Sequence, residues 1–161
     1  MKRTIAVAML LLAAFAGAFA VGGKEGAGGV NFIMNNGTEP QTLDPSKISG
    51  VPEHRIYMAL FEGLVINDPK TSKALPGLAE SWKVSADGTV ITFKLRKSTW
   101  TDGTPITDKT VVDSWHRMLA PETGAVYAYM MTMVGKGAAE YNEGKAGTEA
   151  VAIKAIEDYT F

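Results

Sequence analysis

The sequence predicts an α/β fold, and three local patterns carry that prediction. Apolar and polar residues alternate over residues 89–95 behind an Asp87-Gly88 turn, which is typical of a β-hairpin. Apolar residues recur at helical spacing between Val111 and Leu119, after a Thr107 that can cap a helix. Short apolar runs separated by glycine and proline turns supply the remaining strands and helices.

Composition excludes several classes of function. The 161 residues carry 16 Lys+Arg and 17 Asp+Glu, so the net charge of −1 gives no basic surface for nucleic acid. Cysteine is absent, which excludes disulfides, thiolate metal sites, a cysteine nucleophile and a thioether-linked lipid anchor. His54 and His116 are the only histidines, so a histidine-rich metal site cannot form, and we expect no cofactor.

Residues 1–20 have the layout of a secretory signal peptide. Two positive charges precede an apolar run from Ile5 to Phe15, and Ala18-Phe19-Ala20 fits a cleavage site. An uncleaved membrane anchor is the alternative, because residues 5–21 just reach the roughly 17 residues that span a bilayer. The glycine-rich stretch 21–29 is expected to be a flexible leader, so the pattern predicts an exported protein.

The first part of the remaining chain is expected to run from a strand to a helix and back to a strand. Val30 to Met34 is a short apolar run that suits a buried strand. A loop follows, and Pro52 then suits the first turn of a helix. Apolar residues from Ile56 to Leu64 follow helical spacing, and Leu64 to Ile66 is predicted to be a brief strand.

The second part is expected to contain the hairpin and a set of packed helices. The predicted elements are strands at Ala79–Val84 and Thr89–Leu95, a compact turn over 99–107, a helix from Asp108 that Pro121 stops, helical structure over 127–134, a loop with one short helix over 135–147, and a strand at Val151–Ile156. Tyr159-Thr160-Phe161 has strand composition with no turn after it, which favours a chain that is truncated at its carboxyl end.

No motif of bond-making chemistry is found in the sequence. His54 beside Glu53 is interpreted as a surface helix turn, and His116 as an exposed residue on the polar side of its helix. Three methionines between Met130 and Met133 could suggest a soft-metal site, but they are too crowded to share one helical face. Packing in the core is therefore the preferred interpretation for them. A binding protein is favoured over an enzyme.

Six short segments, in order, resemble one family. They are Leu43-Asp44-Pro45, Phe61-Glu62-Gly63-Leu64, Pro76-Gly77-Leu78-Ala79-Glu80-Ser81-Trp82, Thr92-Phe93-x-Leu95-Arg96, Trp100-x-Asp102-Gly103-Thr104-Pro105-Ile106-Thr107, and the helix around Ser114-Trp115. The order and spacing are similar to those of the extracellular solute-binding proteins of peptide ABC importers. Residues 48–53 and Pro121-Glu122-Thr123 are most similar to the oligopeptide-binding branch.

The resemblance implies the amino-terminal portion of a two-lobe, periplasmic-binding-protein-like fold. Residues 30–61 would start lobe I, and residues 62–161 would form most of a small extra α/β domain with a hairpin, a mixed sheet and packed helices. In this branch a segment matching Ser49, Gly50 and Val51 offers main-chain groups to the ligand, and a tyrosine matching Tyr127 lines the site. An acidic residue often stands where this chain has Ser49, so any preference from that residue is in question.

The resemblance also implies the partners and the compartment. An oligopeptide ligand and the permease subunits of an ABC importer are expected, with a monomeric, periplasmic protein that is not a lipoprotein because it lacks cysteine. A piece of this size is expected to bind peptide poorly alone. The alternatives are an exported interaction module that docks through an unpaired final strand, or a family member that carries a dipeptide, a nickel chelate or an oligosaccharide.

Overall fold

Residues 33–161 are described by a computed structural model of the chain. The predicted signal peptide, the glycine-rich leader and the start of the first predicted strand lie outside the described residues. Ile33 and Met34, which end that predicted strand, have no regular secondary structure. Residues 36–161 cluster together as one unit. Within the described residues, no helix has the length and apolar character needed to cross a bilayer.

The described residues form six short strands and four α-helices. The strands are β1 (Val65–Asn67), β2 (Ala74–Pro76), β3 (Ala79–Val84), β4 (Ile91–Leu95), β5 (Ser98–Thr99) and β6 (Pro105–Ile106). The helices are α1 (Val51–Leu60), α2 (Asp108–Leu119), α3 (Ala128–Thr132) and α4 (Ala138–Asn142), with 3-10 turns at Pro121–Thr123 and Thr148–Ala150.

The α/β fold class is confirmed, but the described strands do not form the mixed sheet that was expected. The described strands pair as three separate antiparallel sheets, β1–β2, β3–β4 and β5–β6. Four of these strands have only two or three residues, and Pro76 and Pro105 cannot donate to a ladder. Strands this short and interrupted form local hairpins instead of joining one larger sheet.

The hairpin of β3 and β4 forms where the alternating pattern predicts it. Its turn places Gly88 at a φ of +74°, a left-handed conformation that glycine adopts without steric cost. Residues 159–161 lie along β4, since the N–H of Phe93 donates to the Phe161 carbonyl at 2.8 Å. The final residues are therefore paired, which removes the free docking strand on which one alternative depended.

Helix α2 begins and ends where its sequence signals indicate. The Thr107 hydroxyl accepts from the N–H of Thr110 at 3.4 Å, and the Thr110 hydroxyl accepts from the N–H of Thr107 at 3.1 Å. This reciprocal pair satisfies two backbone N–H groups that have no acceptor within the helix. Pro121 follows the last turn and starts a 3-10 turn, so the predicted stop is confirmed.

Two apolar clusters hold the helices against the hairpin. The first contains Ala79, Leu95, Val111, Val112 and Phe161, and the second contains Leu119, Ala138 and Val151. The partly buried side chain of Ile153 packs against both clusters. Because α2 contributes to both clusters, it connects the hairpin to the short helices that follow it.

Three local predictions in the second part are wrong. Residues 151–156 form no strand, because the edge of β4 is taken by residues 159–161 and the N–H of Ala152 donates to the Lys136 carbonyl at 2.9 Å. Of the methionines, Met131 packs against the second cluster, while Met130 and Met133 are exposed. A five-residue helix with one buried face has room for only one of them in the core.

The third wrong prediction concerns His116, which is half-buried instead of exposed. Its ring packs edge-on against Tyr141 at a centroid distance of 6.3 Å. Among the described residues, no hydrogen-bond partner is found for its Nε2. The polar side of α2 is covered here by α4, a contact that helical spacing alone does not indicate.

Candidate functional site

The four residues singled out in the sequence lie around one cavity of about 320 Å³. Ser49, Gly50 and Val51 line it from one side and Tyr127 from the other, and the Tyr127 hydroxyl donates to the Ser49 carbonyl at 3.2 Å. The remaining lining residues are Ile48, His54 and Tyr57. The fold therefore brings into contact residues that are 78 positions apart in the chain.

The backbone of residues 49–51 carries donors that are not used within the described residues. Gly50 is extended, with φ of −104° and ψ of 166°. Within residues 33–161, no acceptor is found for the backbone N–H of Ser49 or of Val51. Val51 is the first residue of α1, so its N–H is one of the donors that have no partner within a helix at its start, and Ser49 carries the other donor.

The buried carboxylate of Glu53 lies against the 49–51 segment at Gly50. Glu53 stands in the first turn of α1 and is only 4% exposed. Its Oε1 accepts from the N–H of Gln41 at 2.6 Å, whereas its Oε2 lies against Gly50 and has no partner at normal geometry among the described residues. The N–H of Gln41, and then those of Glu53 and Gly50, hold the pKa of Glu53 below its usual range.

A second polar contact ties the preceding loop to α2. Arg117 donates to both carboxylate oxygens of Asp44, at 2.8 and 2.6 Å, and to the Ser46 hydroxyl at 2.8 Å. The loop also closes on itself, because the N–H groups of Lys47 and Ile48 donate to the Asp44 carbonyl. A planar guanidinium and a carboxylate match in two parallel bonds, so this pair fixes orientation as well as distance.

The same pair changes the acidity of Asp44. The hydrogen bonds from Arg117 are the largest cause, and they lower the pKa of Asp44 from 3.8 to about 2. A carboxyl group with a lowered folded pKa stabilises the fold above its unfolded value, and that contribution is lost as the pH falls through the folded value. The contribution of Asp44 is therefore present above about pH 4 and lost towards pH 2.

We expect Asp44→Asn to loosen the loop that leads into residues 49–51. Half the bidentate contact with Arg117 is lost, so the backbone amide signals of Ser49 and Val51 should shift at pH 6. The loss of stability relative to the parent chain should shrink between pH 4 and pH 2, where the parent carboxyl also becomes neutral. Urea unfolding at several pH values, with NMR of the same samples, measures both effects.

Asp87→Asn is the matched control for this prediction. The pKa of Asp87 is also lowered to about 2, but its main partners are the Ser85 and Thr89 hydroxyls of the same hairpin turn. It should change acid stability without moving the signals of residues 49–51. Equal shifts at those residues in both variants would contradict a positioning role for Asp44.

Tyr57 of α1 and Phe61, the residue that follows the helix, form an aromatic contact beside two neighbouring cavities. Tyr57 lines the cavity at residues 49–51 and also a second cavity of about 380 Å³. Its ring stacks on Phe61 at 5.0 Å, and Phe61 meets Trp100 edge-on at 6.5 Å. Tyr57 and Phe61 both belong to the apolar spacing seen in the sequence, although α1 ends at Leu60.

The sequence interpretation missed three side chains that shape the site. Arg117 resembles an ordinary basic residue at a helix carboxyl end, and nothing in the sequence marks a partner 73 residues away. Glu53 at the third position of a helix could have been expected to turn back towards the helix start. His54 lines the cavity, and it forms no pair with Glu53, whose carboxylate is directed towards Gln41.

The described residues offer little for metal binding. No group of three His, Asp or Glu side chains in residues 33–161 is arranged to hold a metal ion. Asp102 beside Trp100 has a turn role, since its Oδ1 accepts from the N–H of Thr104 at 2.8 Å. The arrangement around residues 49–51 is suited to holding a ligand by its main chain.

Comparison with known proteins gives a consistent result. The family model described as "Bacterial extracellular solute-binding proteins, family 5 Middle" matches residues 73–161. The periplasmic oligopeptide-binding protein OppA of Escherichia coli K12 is 42% identical over 99% of this chain and 30% of its own length. The OppA of Haemophilus influenzae is 39% identical over 81% of this chain and 24% of its own length.

Solved structures show the same fold. The crystal structure of Haemophilus influenzae OppA in complex with RPPGFSPFR aligns with a TM-score of 0.73 and 40% identity, covering 78% of this chain and 25% of that one. The murein tripeptide binding protein MppA of Escherichia coli aligns with a TM-score of 0.70 and 38% identity, over 76% and 24% respectively. The chain thus spans no more than about a third of these proteins.

Proposed function

We propose, from the premise that this chain belongs to the bacterial extracellular solute-binding proteins of family 5, that it supplies part of the peptide site of an ABC importer's binding component. The observation that carries the proposal is the 49–51 segment beside a cavity and a tyrosine. Gly50 is extended there, and the N–H groups of Ser49 and Val51 have no acceptor among residues 33–161. Pairing through the main chain gives affinity that does not depend on the ligand's sequence.

Under this proposal residues 30–61 start lobe I and residues 62–161 form most of the extra domain. The ligand is an oligopeptide, in keeping with the relative whose structure holds RPPGFSPFR. The partners are the permease subunits of an importer, the compartment is the periplasm after removal of residues 1–20, and the protein is a monomer. No chemical step is assigned to the chain, because its task is to hold a ligand for delivery.

The first test is direct binding to the 161-residue chain. Residues 49–51 and Tyr127 supply one wall, and a ligand that is mostly uncovered gains little from burial. We expect short blocked peptides such as acetyl-trialanine amide to bind with a dissociation constant of roughly 1 mM. NMR titration should show the largest shifts at the amides of Ser49 and Val51. A micromolar dissociation constant by calorimetry would overturn the expected weakness, and shifts confined to other residues would overturn the site.

Tyr127→Phe tests the contribution of the tyrosine. The substitution removes the hydroxyl that donates to the Ser49 carbonyl, and so releases one side of the 49–51 segment. One hydrogen bond of this kind is worth about 1 kcal/mol, so the dissociation constant should rise roughly three- to tenfold. Tyr129→Phe is the matched control, because Tyr129 is a neighbouring exposed tyrosine that does not line the cavity. Equal effects in the two variants would contradict the assignment.

A second solute class is favoured by one comparison. A protein named the probable deoxycholate-binding periplasmic protein YgiS of Escherichia coli is 35% identical over 80% of this chain. A rigid amphipathic solute would use the stacked rings of Tyr57 and Phe61 in place of the backbone donors. Titration with deoxycholate separates the two: shifts at Tyr57 and Phe61 without shifts at Ser49 and Val51 would favour this class.

A further inference from the structure

We infer that Asn36 is a modification site, where the side-chain amide is lost without an enzyme through a cyclic imide, and that Arg55 directs the opening of this imide towards isoaspartate. Asn36-Gly37 is the only Asn-Gly pair in the 161 residues. The main-chain nitrogen after an asparagine is tethered beside the carbon of the side-chain amide, so its attack is intramolecular. Glycine leaves this approach open because it has no Cβ.

The chain bends at Gly37, and the side chain of Asn36 lies along the bend. Gly37 has a φ of +84° and is exposed to water, as is Thr38. The Asn36 Nδ2 donates to the Thr38 carbonyl at 3.2 Å, so the amide group spans the intervening Gly37 peptide. The Asn36 Oδ1 is buried, and no donor to it is found among residues 33–161. Turning the amide carbon towards the Gly37 nitrogen therefore breaks a single hydrogen bond within the described residues.

The reaction balances with water as its co-reactant. The Gly37 nitrogen forms a bond to Cγ of Asn36, the bond from Cγ to Nδ2 breaks, and the proton of the Gly37 N–H leaves with ammonia. Water then opens the imide at one of its two carbonyl carbons. Attack at Cγ gives aspartate, whereas attack at the main-chain carbon leaves Gly37 bonded to Cγ and gives isoaspartate. Either product carries a new carboxylate, which is ionised at neutral pH.

The guanidinium of Arg55 lies at the carbonyl group whose attack gives isoaspartate. Its Nη1 donates to the main-chain oxygen of Asn36 at 3.3 Å, and it lies 3.8 Å from the position that a Cβ on Gly37 would take. A cationic donor here stabilises the charge that develops on the oxygen as water adds, and then pairs with the carboxylate that forms. Since Arg55 is exposed, the preference should have the size of a surface ion pair, roughly two- to fivefold in product ratio.

Two other asparagines serve as internal references in the same molecule. Asn67 ends β1 and is followed by Asp68, and Asn142 ends α4 and is followed by Glu143. In both cases the next residue carries a Cβ that crowds the attacking nitrogen. The Asn142 Nδ2 also donates to the carbonyl of the buried Leu119 at 2.8 Å, which holds that amide in place. Both should convert more slowly than Asn36.

The test ages the 161-residue chain in buffer at physiological pH and temperature for several weeks. Digested samples are analysed by mass spectrometry, with fragmentation that locates each conversion and separates isoaspartate from aspartate. We expect Asn36 to convert roughly tenfold faster than Asn67 or Asn142, with isoaspartate as the main product. Conversion at Asn36 that is no faster than at the two reference residues would overturn the modification site.

Arg55→Gln tests the direction in which the imide opens. It should lower the ratio of isoaspartate to aspartate at residue 36 by roughly two- to fivefold. Lys97→Gln is the matched control, because it removes a positive charge from another exposed residue, outside the loop that holds Asn36. An unchanged ratio in Arg55→Gln, or an equal fall in both variants, would overturn the role of Arg55, since a structural change elsewhere has no reason to alter which carbonyl water attacks.

Discussion

Gly137→Ala should destabilise the chain by roughly 2–5 kcal/mol, from two independent causes. Gly137 has a φ of +76°, where a side chain is strained whatever the space around it. A Cβ at this position would also overlap the carbonyl oxygen of Ala150 and lie 2.5 Å from its carbonyl carbon. Both atoms belong to backbone, so no rotamer change relieves the contact.

The surroundings of Gly137 cannot easily move aside. Ala138 and Val151, the next residues on either side of the clash, are both buried in the second apolar cluster. The N–H of Ala152 donates to the Lys136 carbonyl, which holds the two segments together. Separating them would open the cluster around Leu119, so the cost appears as lost global stability.

Gly88→Ala is the matched control for the steric part of this prediction. Gly88 has nearly the same φ, +74°, but a Cβ there would meet nothing within 4 Å. It should cost only the backbone strain, about 1–2 kcal/mol. Urea unfolding followed by tryptophan fluorescence compares the two, and equal losses of stability would show that the contact with Ala150 adds nothing to the backbone strain.

Gly50→Ala should have the largest effect on the candidate site. The conformation of Gly50 is open to alanine, so no backbone strain is expected. The new Cβ would overlap Oε2 of Glu53 and lie 3.2 Å from its Cδ. The carboxylate must then leave Gly50, and its bond to the N–H of Gln41 is lost or distorted. Crowding of this kind costs roughly 1–3 kcal/mol, and peptide affinity should fall by about tenfold or more.

A double-mutant cycle separates this mechanism from a general intolerance of residue 50. Glu53→Ala removes the carboxylate that the new Cβ would contact, and it also removes the acceptor of the Gln41 N–H. In that background Gly50→Ala should cost much less than in the parent chain, with a coupling of roughly 0.5–3 kcal/mol. An unchanged cost, measured by urea unfolding of all four proteins, would place the cause somewhere other than Glu53.

The parts of the fold that could be predicted are those decided by neighbouring residues. Helix α2 is an example, because Thr107, the apolar spacing and Pro121 are all local signals and all act as expected. The hairpin of β3 and β4 is another, since its Asp87-Gly88 turn and alternation are contained in one short stretch. In both cases the propensity and the final packing agree.

The parts that could not be predicted depend on distant partners. Residues 151–156 alternate as a strand does, and Val151 and Ile153 do turn inwards, but no strand edge is available to them. The two-residue strands β5 and β6 exist only through their pairing, which a pattern of two residues cannot indicate. Strand pairing depends on two segments, whereas the sequence of one segment shows only whether that segment can adopt a strand.

The candidate site divides in the same way. Ser49, Gly50, Val51 and Tyr127 were identified through family resemblance, and their ligand role stays a prediction. The Asp44–Arg117 pair joins positions 73 residues apart, so no local rule could reveal it. Gly50 is required by the carboxylate of Glu53, a constraint that appears only once both are placed in space.

The pairing of residues 159–161 with β4 has a consequence for the order of folding. The β3–β4 hairpin can form early, because its two strands are separated by six residues. The open edge of β4 and the ring of Phe93 stay uncovered until Phe161 is in place. The Phe161 ring stacks on Phe93 at a centroid distance of 5.3 Å and meets the Trp115 ring edge-on at 5.8 Å. Bringing Phe161 to Phe93 closes a long loop, and this costs conformational entropy before new contacts offset it. The first apolar cluster should therefore be completed late and slowly. Until then the chain exposes an apolar, unpaired strand, which is the period in which a chaperone would find it most readily.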